Sequence, residues 1–389
     1  MADCPSDKGK PRKSRVPFRR NRQQPARQKQ WAVPPEDDPK ADLAMPTHEA
    51  VRARGDLSRK RTVMEGGDAP TGPTAEGTVV AVRGQYVDVD DGQRIWQCTV
   101  RRVLRTLLID DRSPVVVGDR VTFVMGSDPA GPANAGVIEQ VHPRRTVLKR
   151  SGGRRTHPIA ANVDQVIIVQ SIREPMVKIH LFDRYLVAAH HGGLQGIICI
   201  NKIDLDPGGE ADEVLGRYRR LGYATVAASA ATGAGIDQLG TVMAGKTTLM
   251  VGQSGVGKSS LLNTLQPGLK LPTAPVSVAS EKGKHTTTTA VWLKLDIGGA
   301  VVDTPGIRAL DVAMVPLNEL EQHFVEFVDR VPLCKFPNCI HIHEAGCAIR
   351  AAVEAGEIDE YRYDSYVGLF YELSEVSKQQ REQPDHRSG

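Results

Sequence analysis

Gly252-Gln253-Ser254-Gly255-Val256-Gly257-Lys258-Ser259-Ser260 fits the pattern G-x-x-x-x-G-K-[ST]. Glycines at these spacings let backbone N–H groups curl around phosphate oxygens; Lys258 would neutralise the β/γ charge and Ser259 would ligand Mg²⁺. The apolar run TTLMV precedes the loop and SSLLNTL follows it. That order predicts strand, loop and helix, with the helix N-terminus turned towards the anion. The same pattern recurs by chance at Gly240 to Thr247, but there it follows the helix-like GIDQLGTVM and runs into the strand itself. Lys246 is therefore rejected as the phosphate lysine.

Working outward, Asn201-Lys202-Ile203-Asp204 follows the apolar run LQGIICI, placing a carboxylate just past a strand end, where α/β sheets bind ligands. Asp204 can accept two hydrogen bonds, from guanine N1–H and the 2-amino group. Charge-assisted bonds are worth roughly 1.5–3 kcal/mol each, so adenine, which lacks that donor pair, would leave a partly buried carboxylate unmatched. Ser229-Ala230 ends another apolar run, and the Ala230 N–H is placed for guanine O6. Downstream, His285 precedes a threonine run in which Thr286, Thr287 or Thr288 offers a hydroxyl to Mg²⁺ and the γ-phosphate. Asp303-Thr-Pro-Gly306 supplies a carboxylate to the Mg²⁺ shell and an amide to the γ-phosphate. GTP or GDP is the expected ligand.

The guanine motifs precede the phosphate loop, whereas an ordinary GTPase begins with that loop. The order is circularly permuted, and whatever follows Gly306 continues directly from the segment that senses the γ-phosphate. Ile307 stands where many GTPases carry a water-orienting glutamine, so slow intrinsic turnover is expected. His285, or a group from a partner, is the candidate for positioning the water.

Four regions emerge. Residues 1–74 are rich in Pro, Gln, Arg and Gly without apolar periodicity, and read as a disordered basic tail, either a solvated extension or an RNA-attracting arm. Residues 75–149 carry short β-branched runs between turn residues, the pattern of a small OB-like β-barrel, with Trp96 expected in its core. Residues 150–314 alternate strand runs with helix-length segments, an α/β pattern around a mostly parallel sheet. Residues 315–389 turn helical: Leu317, Leu320, Phe324 and Phe327 share one face, Ile358, Tyr361, Tyr366, Leu369 and Leu373 another, and the polar end from Lys378 is expected to fray.

Within that last region Cys334, Cys339 and Cys347 stand with two candidate imidazoles, His341 and His343. Three thiolates and one imidazole close a tetrahedral Zn²⁺ site with no open position. Six cysteines in 389 residues are too few for a disulfide scaffold, and no apolar stretch approaches a membrane span or a signal peptide. A cytoplasmic protein with no membrane partner is expected.

Taken together, NKIDL, SAATGAG, GQSGVGKSSLLN, GKHTTTT, DTPGIR and the C-x4-C-x-H-x5-C spacing resemble the bacterial circularly permuted GTPases that act on the small ribosomal subunit, the RsgA or YjeQ family. The resemblance covers about residues 77–373 and favours His341 over His343. It implies an OB-fold, a GTPase domain and a zinc domain in that order, with the outer two gripping 16S rRNA. It further implies GTP hydrolysis stimulated by the 30S subunit and a role in its late maturation or in release of assembly factors. A monomer is expected. The long basic tail departs from the family pattern.

Overall fold

The computed structural model describes residues 12–17, 60–65, 72–101, 104, 114–126, 134–151, 156–271, 290–303 and 310–382. By contact the chain divides into residues 1–71 with 101–114 and residues 72–100 with 115–389. The barrel, the α/β layer and the C-terminal segment all belong to the second. In the first, an antiparallel pair joins β1 (Arg12–Pro17) to β2 (Lys60–Glu65), a departure from the expected disordered tail. Val16, Thr62 and Val63 give these stretches a local strand preference that the tail's average composition hides.

Five strands close a barrel: β3 (Thr74–Arg83), β4 (Tyr86–Asp90), β5 (Ile95–Val100), β6 (Arg120–Met125) and β7 (Ala135–Val141). Closure follows because β3 pairs with both β4 and β6, while β7 bridges β5 and β6. The alternating runs turn Val79, Val89, Trp96, Cys98, Val121, Phe123 and Ile138 inward, each at most 2 % exposed. Trp96 is thus a core residue. The pair β8 (Val147–Ser151) and β9 (Thr156–Ala161) follows. Arg144 clamps Asp119 through two bonds of 2.7 and 2.9 Å, holding the barrel's exit.

The α/β layer has the parallel order β12 (Ala224–Ala227), β11 (Gln195–Asn201), β10 (Gln165–Ser171), β13 (Thr247–Val251), β15 (Ala300–Asp303), with β14 (Val291–Lys294) antiparallel at one side. Every residue of β10 is buried, as a strand covered on both faces requires. One face carries helices α1 (Ile179–His191) and α2 (Glu210–Arg220); the other carries α3 (Ile236–Met243) and α4 (Lys258–Leu265). A single pairing, Val291 with Ala81, stitches β14 to the barrel strand β3.

The C-terminal segment packs Phe324, Phe327, Ile349, Tyr366, Leu369 and Leu373 around the cysteine loop, with Val187 of α1 in the same cluster. Its first part, expected to be helical, is a 3-10 turn, Leu317–His323. The apolar positions still face inward because a 3-10 turn also brings i and i+3 together. Helix α5 (Ala348–Glu354) and the long α6 (Glu360–Glu382) complete it. Helix α6 runs on through Lys378, which pairs with Glu375 at 2.7 Å, so fraying does not begin there. Tyr361 is 58 % exposed rather than on the packed face, its ring stacked under the Arg217 guanidinium. Among the described residues no helix is long and apolar enough to cross a membrane.

Candidate functional site

Because β10, β11, β12, β13 and β15 run parallel, the loops after their C-terminal ends emerge at one edge of the sheet. That edge gathers Asn201–Asp204 after β11, Ser229 and Ala230 after β12, Gly252–Gly257 after β13, and Asp303 as the last residue of β15. The strand–loop–helix reading of the phosphate loop holds, with α4 starting at Lys258 and Gly257 at its N-cap. The rejected match at Gly240–Thr247 runs from α3 into β13, and Lys246 Nζ bonds Gln195 Oε1 at 3.1 Å.

The loop's glycines answer to close approach as well as to dihedral preference. Gly252 has φ +150° and a Cβ there would meet the Val169 carbonyl at 2.0 Å; Gly257 has φ +91° and a Cβ there would lie 2.3 Å from Asn201 Nδ2. Gly255 also lies in positive φ. Ser254 is exposed, while Gln253, Ser259 and Ser260 are half-buried around the helix start. The Lys258 ammonium bonds the carbonyls of Gly252 at 2.8 Å and Gln253 at 2.9 Å, poised over the loop it serves.

Asn201 does something the tetrapeptide reading missed. Its side chain, 1 % exposed, donates Nδ2 to the Val256 carbonyl at 2.8 Å and accepts the Ala230 N–H at Oδ1 at 3.2 Å. One amide thus ties the phosphate loop to both guanine loops. The Ala230 N–H expected to meet guanine O6 is engaged in that clasp here. Lys202 takes a left-handed conformation, φ 62°, and its Nζ reaches the Glu174 carbonyl. Ile203 and Asp204 then form a 3-10 turn. Asp204 is exposed rather than partly buried, because this turn carries it clear of the strand end, and Ser229 Oγ donates to its Oδ1. Ser229 itself is fully buried. His285, Thr286, Thr287, Thr288 and Gly306 lie outside the described residues, as does the side chain of Asp303.

At the other centre, Cys334, Cys339, His341 and Cys347 bring one ligand atom each within 4.8 Å of one another. His341 Nδ1 lies 3.5 Å from both the Cys334 and Cys347 sulfurs. Tetrahedral zinc with bonds of about 2.0–2.3 Å places its ligand atoms roughly 3.5–3.8 Å apart, so the donor set and spacing fit that ion. Burial, then the Cys347 and Cys334 sulfurs beside it, push the Cys339 thiol up to about 12. A divalent cation would relieve that cost of gathering sulfurs. His341 Nε2 faces Glu321 Oε2 at 2.8 Å, which fixes Nδ1 as the atom offered to the cluster. His343 is exposed and stands apart. Glu344, unnoticed in the sequence, accepts the N–H groups of Ile340, Ile342 and His343 and shapes the loop. Burial opposes its ionisation, but these backbone donors hold it down to about 2.

The family model for the RsgA GTPase matches residues 141–313. The small ribosomal subunit biogenesis GTPase RsgA of Sodalis glossinidius (strain morsitans) is 39 % identical over 327 residues, covering 82 % of this chain and 92 % of that protein. The protein of the same name from Thermotoga maritima is 42 % identical over 303 residues, covering 76 % and 96 %. Among solved structures, YjeQ from Thermotoga maritima matches with TM-score 0.64 and 38 % identity, over 77 % of this chain and 99 % of that one. YloQ, a circularly permuted GTPase, matches with TM-score 0.61 and 29 % identity, over 80 % and 98 %. With guanine motifs ahead of the phosphate loop, a closed barrel before them, a Cys/His cluster after them and relatives of this similarity over most of its length, the chain belongs to the RsgA family of GTPases.

Proposed function

We propose that this GTP hydrolase works on the small ribosomal subunit in the cytoplasm, as a monomer, and couples hydrolysis to late 30S maturation or to release of assembly factors. The observation that carries the reading is the convergence of Asp204, Ser229, Asn201 and the phosphate loop on one sheet edge, in a chain whose relatives are named for small-subunit biogenesis. Asp204 reads the guanine, backbone N–H groups of residues 252–257 and Lys258 hold the phosphates, and Ser259, Asp303 and one of Thr286, Thr287 and Thr288 hold Mg²⁺. Bound there, Mg²⁺ would neutralise charge developing between the β- and γ-phosphates. The Gly306 amide meets the γ-phosphate, and His285 orients water in place of the missing glutamine.

The division of labour follows the domain boundaries 1–74, 75–149, 150–314 and 315–389. The barrel and the C-terminal domain contact 16S rRNA, and zinc held by Cys334, Cys339, His341 and Cys347 keeps the latter folded; structural zinc is worth about 10–16 kcal/mol in small domains. The experiment is GTP turnover with and without 30S subunits, with Asp204→Asn as the nucleotide control. Strong stimulation is expected. Equal rates would refute the ribosomal coupling while leaving GTP binding intact. His285→Ala should abolish the stimulated rate and spare binding.

A further inference from the structure

Helix α1 ends on two histidines, and the 3-10 turn Leu317–His323 lies against it. His191, Glu319 and His323 bring one possible ligand atom each within 4.8 Å of one another. His191 Nδ1 stands 3.7 Å from Glu319 Oε2. His323 is 8 % exposed; its Nδ1 lies 3.1 Å from Nδ1 of His190, while its Nε2 is buried with no hydrogen-bond partner. Two facing Nδ1 atoms share one proton. With His323 as the donor, its Nε2 keeps a lone pair in a place where an unmatched polar atom costs roughly 1–3 kcal/mol. Ring packing among the three histidines, with centroids 5.1 and 5.5 Å apart, accounts for the contact but not for that orphaned nitrogen.

We propose that His191, Glu319 and His323 form a second metal site, for a divalent first-row transition ion, that clips the C-terminal segment to α1. Two imidazoles and one carboxylate are the donors such ions take when no thiolate is offered. His190 would hold the His323 ring from behind, as hydrogen-bond acceptors do for metal-bound imidazoles. The His191 and Glu319 side chains are 32 % and 42 % exposed, so the ion has a route in and an open coordination position. One ligand comes from α1 and two from the 3-10 turn. The ion therefore binds only the joined arrangement and stabilises it by mass action.

The test is calorimetric titration of Ni²⁺ into full-length protein already carrying one zinc per chain. One further saturable equivalent is expected for the wild type, with a raised thermal midpoint. His191→Gln and Glu319→Gln, chosen because both side chains reach solvent, should each weaken it at least tenfold and lose the thermal shift while keeping the first zinc. No further equivalent in the wild type, or unchanged Ni²⁺ binding in both variants, overturns the proposal.

Discussion

Arg362 of α6 donates through Nη1 to Asp183 Oδ1 of α1 at 2.5 Å, and neither side chain is more than 4 % exposed. The same guanidinium donates to both oxygens of Glu326, at 2.6 and 3.1 Å, and Tyr218 OH donates to Asp183 at 2.7 Å. Truncating one partner of such a pair strands a buried charge. Arg362→Ala should cost about 3–5 kcal/mol, and Arg362→Lys should recover little, since a shorter-reaching ammonium lacks the planar fork that meets both Glu326 oxygens and Asp183 together. Urea unfolding followed by circular dichroism checks it; a loss below about 1 kcal/mol would contradict burial of the pair.

Asn201→Ala removes two bonds from a buried clasp and leaves both loops loose. GTP and GDP should weaken alike, by about 10- to 100-fold, with base preference unchanged. Asp204→Asn should do the reverse: guanine preference is lost and xanthine nucleotides gain, because an amide can donate to the carbonyl that xanthine carries in place of the guanine amine. Competition binding with fluorescent GDP separates the two outcomes.

The Cys/His loop gives a graded series. His341→Ala should lose its zinc, and His343→Ala, outside the cluster, should keep it. Glu321→Gln, which alters only the partner of His341 Nε2, should weaken zinc by about 10- to 100-fold. Metal content after chelator competition reads all three; retention by His341→Ala would exclude that residue as a ligand.

In the barrel, the Trp96 indole N–H, then the backbone N–H groups of Arg94 and Gln93, hold Asp91 down to about 2, from 3.8. A depressed carboxylate lends stability above its unfolded value and loses it as pH falls through the folded one. The hairpin should therefore loosen between pH 3.8 and about 2, visible as a change in Trp96 fluorescence. Asp91→Asn should flatten that pH response.

Motifs whose chemistry is local were legible in the sequence: the phosphate loop, NKID, the cysteines and the strand runs, each set by residues within a few positions. Trp96 was legible as core for the same reason. What escaped notice depends on approach across the fold. Nothing near Asn201 announces that it reaches Val256, and His190 meets His323 across 133 residues. The helical stretch expected after Val315 takes 3-10 geometry over Leu317–His323, a choice that i, i+3 spacing leaves open, and the left-handed Lys202 that leads into the turn exposing Asp204 leaves no mark in the apolar pattern.

The Asn201 clasp also sets a timetable. Asn201 is made 55 residues before Val256, so on a nascent chain the base-reading turn exists before the loop it must hold. At about 5–20 residues per second the wait is roughly 3–11 s, during which β10 and β11 can pair but β13 cannot yet join them. An unpermuted GTPase synthesises these parts in the opposite order. Here the base-reading turns are made first, the phosphate loop follows, and the segment ending at Asp303 and Gly306 comes last to a pocket already begun.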